Sequence, residues 1–387
     1  MPTSETRAGK AAITYGAYSP APSEFHRMPE RNLDALRAIA VLCVLVNHVA
    51  NVLLPGTFAA RPAAIAPYDS IGEAGVLIFF VHTSYVLMGS LDRMRAEGFS
   101  GGTLVKQFYL RRGFRIYPLA IVMLLIVRFA HLPARPEYWA IYVRPDRLTF
   151  LSNLALTQNL TGSRVLLTPM WSLPIELQMY VVLPLLAWAL RRSAPRLLPV
   201  FWLATVAFAM LVIHEWALFG HPWDVLLYAP CFVAGATAYH LSKHVAPRAS
   251  ARWWLPFLFV LLATFVASPL HIPGWIVVLN RGREWLLTAF VAIGLVFVQE
   301  GAKSRFFAMA HTIATYSYGI YLVHVPVLTV AVRVWPATHN PLFWIAVLVG
   351  IAGASWAAYR FVELPGIRLG RHLTRGRATA ATFAPPP

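Results

Sequence analysis

Ten long apolar segments recur along this chain and restrict it to folds in which helices cross a lipid bilayer. Only helices and closed barrels satisfy their backbone polar groups inside the hydrocarbon core, and a spanning helix needs about 20 apolar residues. Hydrophobic residues make up 58% of the 387 residues and charged residues only 13%, about half the charged share of a soluble domain. We therefore predict an all-α, polytopic transmembrane bundle with spans at about 33–53, 71–91, 116–132, 170–190, 197–214, 223–241, 253–270, 284–300, 307–332 and 341–362.

The distribution of basic residues predicts how this bundle is oriented. With the N-terminus in the cytoplasm, most of the 33 lysines and arginines fall in cytoplasmic segments or at cytoplasmic helix ends, as the positive-inside rule requires. Both termini are then cytoplasmic, and the net charge of +17 reflects topology rather than a nucleic-acid partner. We expect disordered tails at 1–28 and 371–387 and one membrane domain at 29–370.

The first span carries a cation and a titratable base on one helix face. Arg37 and His48 are eleven residues apart, which is about three helical turns and roughly 16 Å along the axis. Intramembrane ionisable groups are costly and mark functional sites, and an imidazole can remove a proton from a hydroxyl near neutral pH. His48 is thus a candidate general base, and the alternative is a core histidine that bonds a neighbouring helix.

Glu176 is the candidate partner of His48. No other acidic residue lies well inside a predicted span, and a buried carboxylate requires a cation or a histidine beside it. Counted from opposite membrane faces, the two residues lie at similar depths in a core of about 30 Å. The alternative is a structural acid that joins two helices, and the sequence does not show that these two helices are neighbours.

Three arginines precede the third span and form a candidate phosphate site. Arg112 and Arg115 are three residues apart and can share a helix face, with Arg111 beside them. Arginine binds phosphate oxygens through paired hydrogen bonds. The alternative is a basic loop that sets orientation or contacts anionic lipid.

Several further polar residues within or beside the spans are candidates to line the same cavity, although interhelical packing would also explain them. They are Asp34, His82, Ser84, Tyr180, Tyr318 and His324. No metal-binding spacing, P-loop or dinucleotide fingerprint is present, so no metal is expected. Cys43 and Cys231 lie inside apolar segments, which argues against a disulfide framework.

Five stretches, in this order, carry a resemblance to a known family. They are Leu33-Asp-Ala-Leu-Arg37 with His48; Gly75-Val with Phe79-Phe80-Val81; Arg111-Arg112 with Arg115-Ile and Pro118; Trp171-Ser172-Leu173 with Glu176 and Tyr180; and Tyr318, Tyr321-Leu322, His324 and Pro326. With them the chain resembles the acyltransferase-3 family of integral-membrane O-acyltransferases. After Phe-Phe-Val the family often has Leu or Ile followed by Ser-Gly-Phe, where this chain has His82-Thr-Ser84-Tyr85, which suggests a subgroup.

The resemblance implies a ten-helix domain, an acyl-CoA donor (usually acetyl-CoA), a catalytic His48 and paired arginines important for activity. The implied enzyme is a multi-pass O-acyltransferase of the bacterial inner membrane. It moves an acyl group from cytoplasmic acyl-CoA, held by Arg111, Arg112, Arg115 and Arg37, to a hydroxyl of a cell-surface or lipid-linked carbohydrate. Many relatives carry a C-terminal esterase-like domain, which this chain is expected to lack.

Two questions stay open at this level. Buried histidine, glutamate and arginine residues would also suit a proton-coupled transporter, although no inverted repeat of the kind found in transporters is visible. Within the enzyme class, the sequence does not decide between direct attack on the thioester and an acyl-histidine intermediate. The identities of the acyl group and of the acceptor, and the oligomeric state, are also open.

Overall fold

The computed structural model describes residues 30–54, 66–133, 143–219, 224–268, 276–336 and 338–375, and helices account for most of these ranges. The residues described contain no strand, only an isolated bridge between Ala249 and Val298. The all-α prediction is therefore confirmed for this part of the chain. The tail predicted at 1–28 lies outside the described residues, as does 376–387 of the second tail.

Twelve α-helices follow one another in the described residues. They are α1 (Glu30–Leu53), α2 (Ala66–Ala96), α3 (Gly101–Phe129), α4 (Arg147–Ala155), α5 (Ser172–Arg192), α6 (Leu198–Phe219), α7 (Asp224–Leu241), α8 (Trp254–Ala267), α9 (Ile276–Phe297), α10 (Arg305–Val334), α11 (Pro341–Ala358) and α12 (Leu364–Arg375). A short π-helical segment, Tyr359–Glu363, joins α11 to α12. Each of the ten predicted spans overlaps one of these helices. Helix α12 extends to Arg375, so the first residues of the tail predicted at 371–387 are helical.

Six described helices are long and apolar enough to cross a membrane: α1, α2, α5, α6, α10 and α11. The last of these candidate spans, Pro341–Thr374, continues from α11 through the π-helical segment into α12. α7 and α8 are apolar but shorter, and α3 and α9 carry arginines within their length. The structure therefore supports a multi-pass membrane protein without fixing the count of ten spans or the side on which the termini lie.

The outer surface of the bundle is apolar, as contact with lipid requires. Phe129 and Phe259 are each 73% exposed and Val334 is 78% exposed, and many other large apolar side chains are also exposed. Soluble monomers rarely expose contiguous apolar patches of more than a few hundred Å². Acyl chains are the environment that suits this surface.

Helix α2 is the most buried of the candidate spans, and it packs against α1, α5, α7, α8 and α9. Small residues allow these close approaches, as is typical of membrane helices. Gly75 faces the backbone of α1, and Gly235 of α7 faces Val81 and Ser84 of α2. α1 lies between α2 and α10, so its polar face meets residues from both neighbours.

We expect Gly75→Val to destabilise the bundle by about 1–3 kcal/mol, the usual cost of overpacking. A Cβ at position 75 would lie 2.5 Å from the Ala40 carbonyl oxygen and 3.0 Å from the Cys43 Cβ, so α1 and α2 would have to separate. The measurement is the thermal unfolding midpoint in detergent. Gly353→Val is the matched control, because a Cβ at Gly353 meets nothing within 4 Å. Equal midpoints for the two variants would contradict this packing.

Candidate active site

A small cavity lies inside the bundle where α1, α2, α3, α5 and α10 meet. Its free volume is about 70 Å³, which is room for a few water molecules. The residues that line it come from all five helices: Arg37, Val76, Phe79, Phe80, Thr83, Arg115, Ile116, Ser172, Leu173, Glu176, Tyr180, Ser317, Tyr318 and Tyr321. Charged and hydroxyl groups from five helices thus converge on this cavity.

Opposite charges meet across this cavity. Arg37 and Arg115 face it from α1 and α3, and Glu176 faces it from α5. The Arg37 Nε donates a hydrogen bond to the Ser317 hydroxyl at 2.6 Å, and the Tyr180 hydroxyl donates to the Glu176 carboxylate. Ion pairs in a low-dielectric interior persist only when their remaining polar atoms are also bonded. These bonds hold Arg37 and Glu176 in place.

A second carboxylate belongs to this charge cluster, and the sequence did not reveal it. Glu363 is 0% exposed in the π-helical segment after α11. Its charge interacts with Arg115 and Arg37, and its Oε1 lies against Gly319 of α10. The apolar pattern of the last span ends just before Glu363, so hydropathy placed this residue at a membrane boundary. A π-bulge is a frequent feature of functional sites, but it leaves no clear pattern in a single sequence.

His48 lies beside a second histidine. The His48 and His324 rings are 4.8 Å apart between centroids and nearly perpendicular. The Nδ1 atoms of both rings lie within 3 Å of the backbone carbonyl four residues earlier, at Val44 and Ile320. Because a carbonyl can only accept, Nδ1 is the protonated nitrogen of each ring, and in the neutral imidazole this leaves the lone pair on Nε2. The two imidazoles are therefore oriented as bases through Nε2.

The histidine pair is one layer of side chains away from the cavity. The Tyr321 ring lies 6.4 Å from that of His324, and Tyr321 also lines the cavity. The Tyr321 hydroxyl is 2.7 Å from the Ser172 Oγ, the residue at the start of α5. The structure thus brings His48 together with His324, and it brings Glu176 together with Tyr180 and the arginines.

The three arginines of α3 occupy different environments. Arg115 lines the cavity. Arg112 is partly buried, donates to the Ser90 hydroxyl at 3.2 Å, and lies within electrostatic range of Arg115 and Glu176. Arg111 faces away, donating to Thr374 of α12 at 3.1 Å and pairing with Glu97 at 3.2 Å. Arg112 and Arg115 thus both interact electrostatically with Glu176, whereas Arg111 contacts α12.

The other predicted cavity residues divide into two groups. Tyr180 and Tyr318 line the cavity, and the Tyr318 hydroxyl donates to the Ile116 carbonyl at 2.8 Å. Asp34, His82 and Ser84 are absent from its lining. Asp34 pairs with His311 at 2.7 Å, and Ser84 donates to the Val81 carbonyl. His82 is buried and interacts electrostatically with the two arginines of the cavity.

Across the residues the structure describes, no group of three or more histidine, cysteine, aspartate or glutamate residues is close enough to hold a metal ion.

Comparison with known proteins gives one family and several named relatives. A family model described as an acyltransferase domain matches residues 30–360. Peptidoglycan O-acetyltransferase OatA of Listeria monocytogenes is 25% identical, over 86% of this chain and 55% of its own length. Nodulation protein 10 of Rhizobium leguminosarum is 23% identical, over 93% of this chain and 100% of its own length.

A putative peptidoglycan O-acetyltransferase of Bacillus subtilis, YrhL, is 24% identical over 86% of this chain and 54% of its own length. The chain thus spans about half the length of the two peptidoglycan O-acetyltransferases and the whole length of the nodulation protein. No solved structure matches this chain.

Proposed function

Because the chain belongs to the acyltransferase-3 family and is an enzyme that transfers acyl groups, we propose that it O-acetylates a carbohydrate at the membrane. The donor is cytoplasmic acetyl-CoA, and the acceptor is a hydroxyl of a cell-surface or lipid-linked sugar. The observation that carries this proposal is the pairing of His48 with His324 one layer from a cavity lined by Arg37, Arg115 and Glu176. The names of two relatives support the acceptor class, since both refer to peptidoglycan O-acetylation.

The topology is part of the same proposal. One membrane domain at 29–370 crosses the bacterial inner membrane ten times, with both termini in the cytoplasm. Two observations support this arrangement: each predicted span overlaps a helix, and the lysines and arginines are concentrated on one side. Cytoplasmic acetyl-CoA then approaches from the end of α3 that carries Arg111.

The proposed chemistry is proton removal coupled to attack on the thioester. The Nε2 of His48 takes the proton from the acceptor hydroxyl as that oxygen bonds to the acetyl carbonyl carbon. The tetrahedral intermediate collapses by breaking the C–S bond, and the imidazolium returns its proton to the departing CoA thiolate. His324 holds a second imidazole beside the first and can share this proton. An acyl-histidine step before transfer uses the same residues and is the alternative.

All four arginines bind CoA in this scheme, at two depths in the bundle. Arg111 and Arg112 bind the phosphates of CoA, because they lie nearest to the proposed cytoplasmic end of α3. Arg115 and Arg37, deeper in the bundle at the cavity, bind further phosphate oxygens and polar groups of CoA. Glu176 and Tyr180 hold these guanidinium groups in position through the bonds described above.

The test uses purified protein in lipid nanodiscs with radiolabelled acetyl-CoA and a crude glycan fraction from bacterial envelopes. Label that moves to the glycan fraction supports the proposal. Coupled uptake of a solute into proteoliposomes, with no label transfer, would instead support the proton-coupled transporter. No transfer and no uptake would contradict both functions.

We expect Arg112→Ala and Arg115→Ala each to weaken CoA binding by about 10- to 100-fold. Each variant removes charge-assisted hydrogen bonds worth about 1.5–3 kcal/mol. Titration of CoA into the purified protein measures the affinity. Arg192→Ala is the control, because Arg192 stacks on Trp188 at the end of α5, outside the α3 cluster. Unchanged CoA affinity in both α3 variants would contradict the assigned phosphate site.

A further inference from the structure

A second charge cluster lies between α2, α7 and α9 and takes no part in the scheme above. We call it the Glu73 cluster, and its members are Glu73, Tyr228, Arg281, Arg283 and Glu284. Arg281 Nη1 is 2.7 Å from Glu284 Oε2, and Arg283 Nη2 is 3.6 Å from Glu73 Oε2. The Arg281 guanidinium lies 4.8 Å from the centre of the Tyr228 ring, and Glu73 is within hydrogen-bond reach of Glu284. Arg281, Glu284 and Glu73 thus interact with the Tyr228 side chain, and Arg283, whose guanidinium lies over the Phe265 ring, joins the cluster through Glu73.

The Glu73 cluster is partly open rather than sealed. The Glu284 side chain is only 4% exposed, but those of Glu73 and Arg281 are 33% and 21% exposed. The Arg283 Nε and Asn280 Oδ1 atoms are shielded from solvent and have no hydrogen-bond partner among the residues described. Buried polar atoms in native proteins are almost always bonded. The cluster therefore has accessible charge and unused hydrogen-bonding capacity in one place.

A continuous row of aromatic contacts connects this cluster to the cavity. The Tyr228 ring is 5.5 Å from that of Phe80, which lines the cavity, and 5.7 Å from that of Trp171. Trp171 immediately precedes Ser172, another cavity residue. Glu73 is one helical turn before Val76, which also lines the cavity. A molecule bound at the Glu73 cluster would therefore have one end against the side chains that line the cavity.

The cluster also lies at the opposite end of the bundle from the arginines of α3. Glu73 is near the start of α2, Tyr228 is in the first turns of α7, and Arg281 is near the start of α9. Arg111 and Arg112 lie near the other end, where α2 finishes and α3 begins. In the proposed topology this puts the Glu73 cluster on the exterior side, away from the cytoplasmic donor.

We propose that the Glu73 cluster binds the acceptor carbohydrate and directs one of its hydroxyl groups toward His48. Sugar hydroxyls both donate and accept hydrogen bonds, so they suit a site that combines carboxylate acceptors with guanidinium donors. The Trp171 and Tyr228 rings supply flat apolar faces for the sugar ring. This inference rests on the proposed function, because it assigns the acceptor site of the same reaction.

The experiment measures half-saturating concentrations for Glu284→Gln and Tyr228→Phe in nanodiscs, with the envelope glycan fraction and radiolabelled acetyl-CoA as probes. Both variants preserve shape and remove one charge or one oxygen. We expect the half-saturating glycan concentration to rise about tenfold while the KM for acetyl-CoA is unchanged. Asp92→Asn is the matched control: Asp92 also pairs with a cation and a tyrosine between α2 and α7, namely Lys243 and Tyr239, but at the other end of these helices.

Each outcome decides the inference. The inference is supported if the half-saturating glycan concentration rises in the two cluster variants and not in the control. If the half-saturating glycan concentration is unchanged, the cluster only joins helices. The same conclusion follows if this concentration and the KM for acetyl-CoA rise together while the unfolding midpoint falls. Tyr228→Phe carries the test if Glu284→Gln does not yield monodisperse protein. If the unsubstituted enzyme transfers acetyl groups and the cluster variants behave in the same way, only this inference is refuted. If the unsubstituted enzyme transfers no acetyl groups, the proposed function is refuted, and this inference with it.

Discussion

Replacing His48 with alanine is expected to reduce acetyl transfer by about 10²- to 10⁴-fold, the usual contribution of a positioned general base. The variant removes the imidazole whose Nδ1 is held by the Val44 carbonyl and whose ring contacts His324. The measurement is the initial rate of label transfer from radiolabelled acetyl-CoA at saturating glycan. CoA affinity should change little, because the assigned phosphate contacts come from α3.

Two comparison variants sharpen this test. His372→Ala removes an exposed histidine of α12 and should transfer at the unsubstituted rate. His324→Ala should reduce transfer less than His48→Ala, because His324 shares the proton without contacting the acceptor. Full label transfer by His48→Ala would show that the base is another group.

Arg37→Ala is expected to lower the free energy of unfolding by about 3 kcal/mol. The reason is that two buried carboxylates, Glu176 and Glu363, would lose one of the guanidinium charges that compensate them and would depend mainly on Arg115. The substitution also removes the bond to Ser317 that links α1 to α10. Chemical or thermal unfolding in detergent measures the effect. Arg37→Lys keeps the charge but not the donor geometry, and it should recover part of the stability.

The control for this prediction is on the same helix. Arg31 pairs with Glu300 near the start of α1, and its side chain is 37% exposed, so its ion pair is worth roughly 1 kcal/mol or less. The Arg31→Ala variant should therefore have nearly the same free energy of unfolding as the unsubstituted protein. Equal losses from Arg31→Ala and Arg37→Ala would contradict the view that the cavity charges form a stabilising cluster.

The sequence predicted the local features of this site because they follow from helical spacing. Arg37 and His48 lie about three turns apart on α1, and the structure places their partners, Ser317 and His324, on a single neighbouring helix. Likewise, the spacing of Arg112 and Arg115 predicts that the two side chains can share one face of α3. Periodicity fixes which side chains share a face, but it does not say which helix lies opposite.

Contacts between distant segments were therefore beyond the sequence. His48 was matched with Glu176 on the basis of depth alone, whereas the structure places His324 beside His48 and the arginines beside Glu176. Glu363 and Glu284 lie at the edges of apolar runs, so neither stood out as an intramembrane acid, yet both are buried.

By itself, the sequence determined that this chain is an all-α membrane protein with a basic cluster before α3 and an ionisable face on α1, because apolar length and helical period are local properties. Only the tertiary structure decided that α1, α2, α3, α5 and α10 enclose one charged cavity, and that α2, α7 and α9 form a second cluster beyond it. The physical reason is that membrane helices select their neighbours through small-residue contacts and polar pairing, which are defined only once the helices have packed.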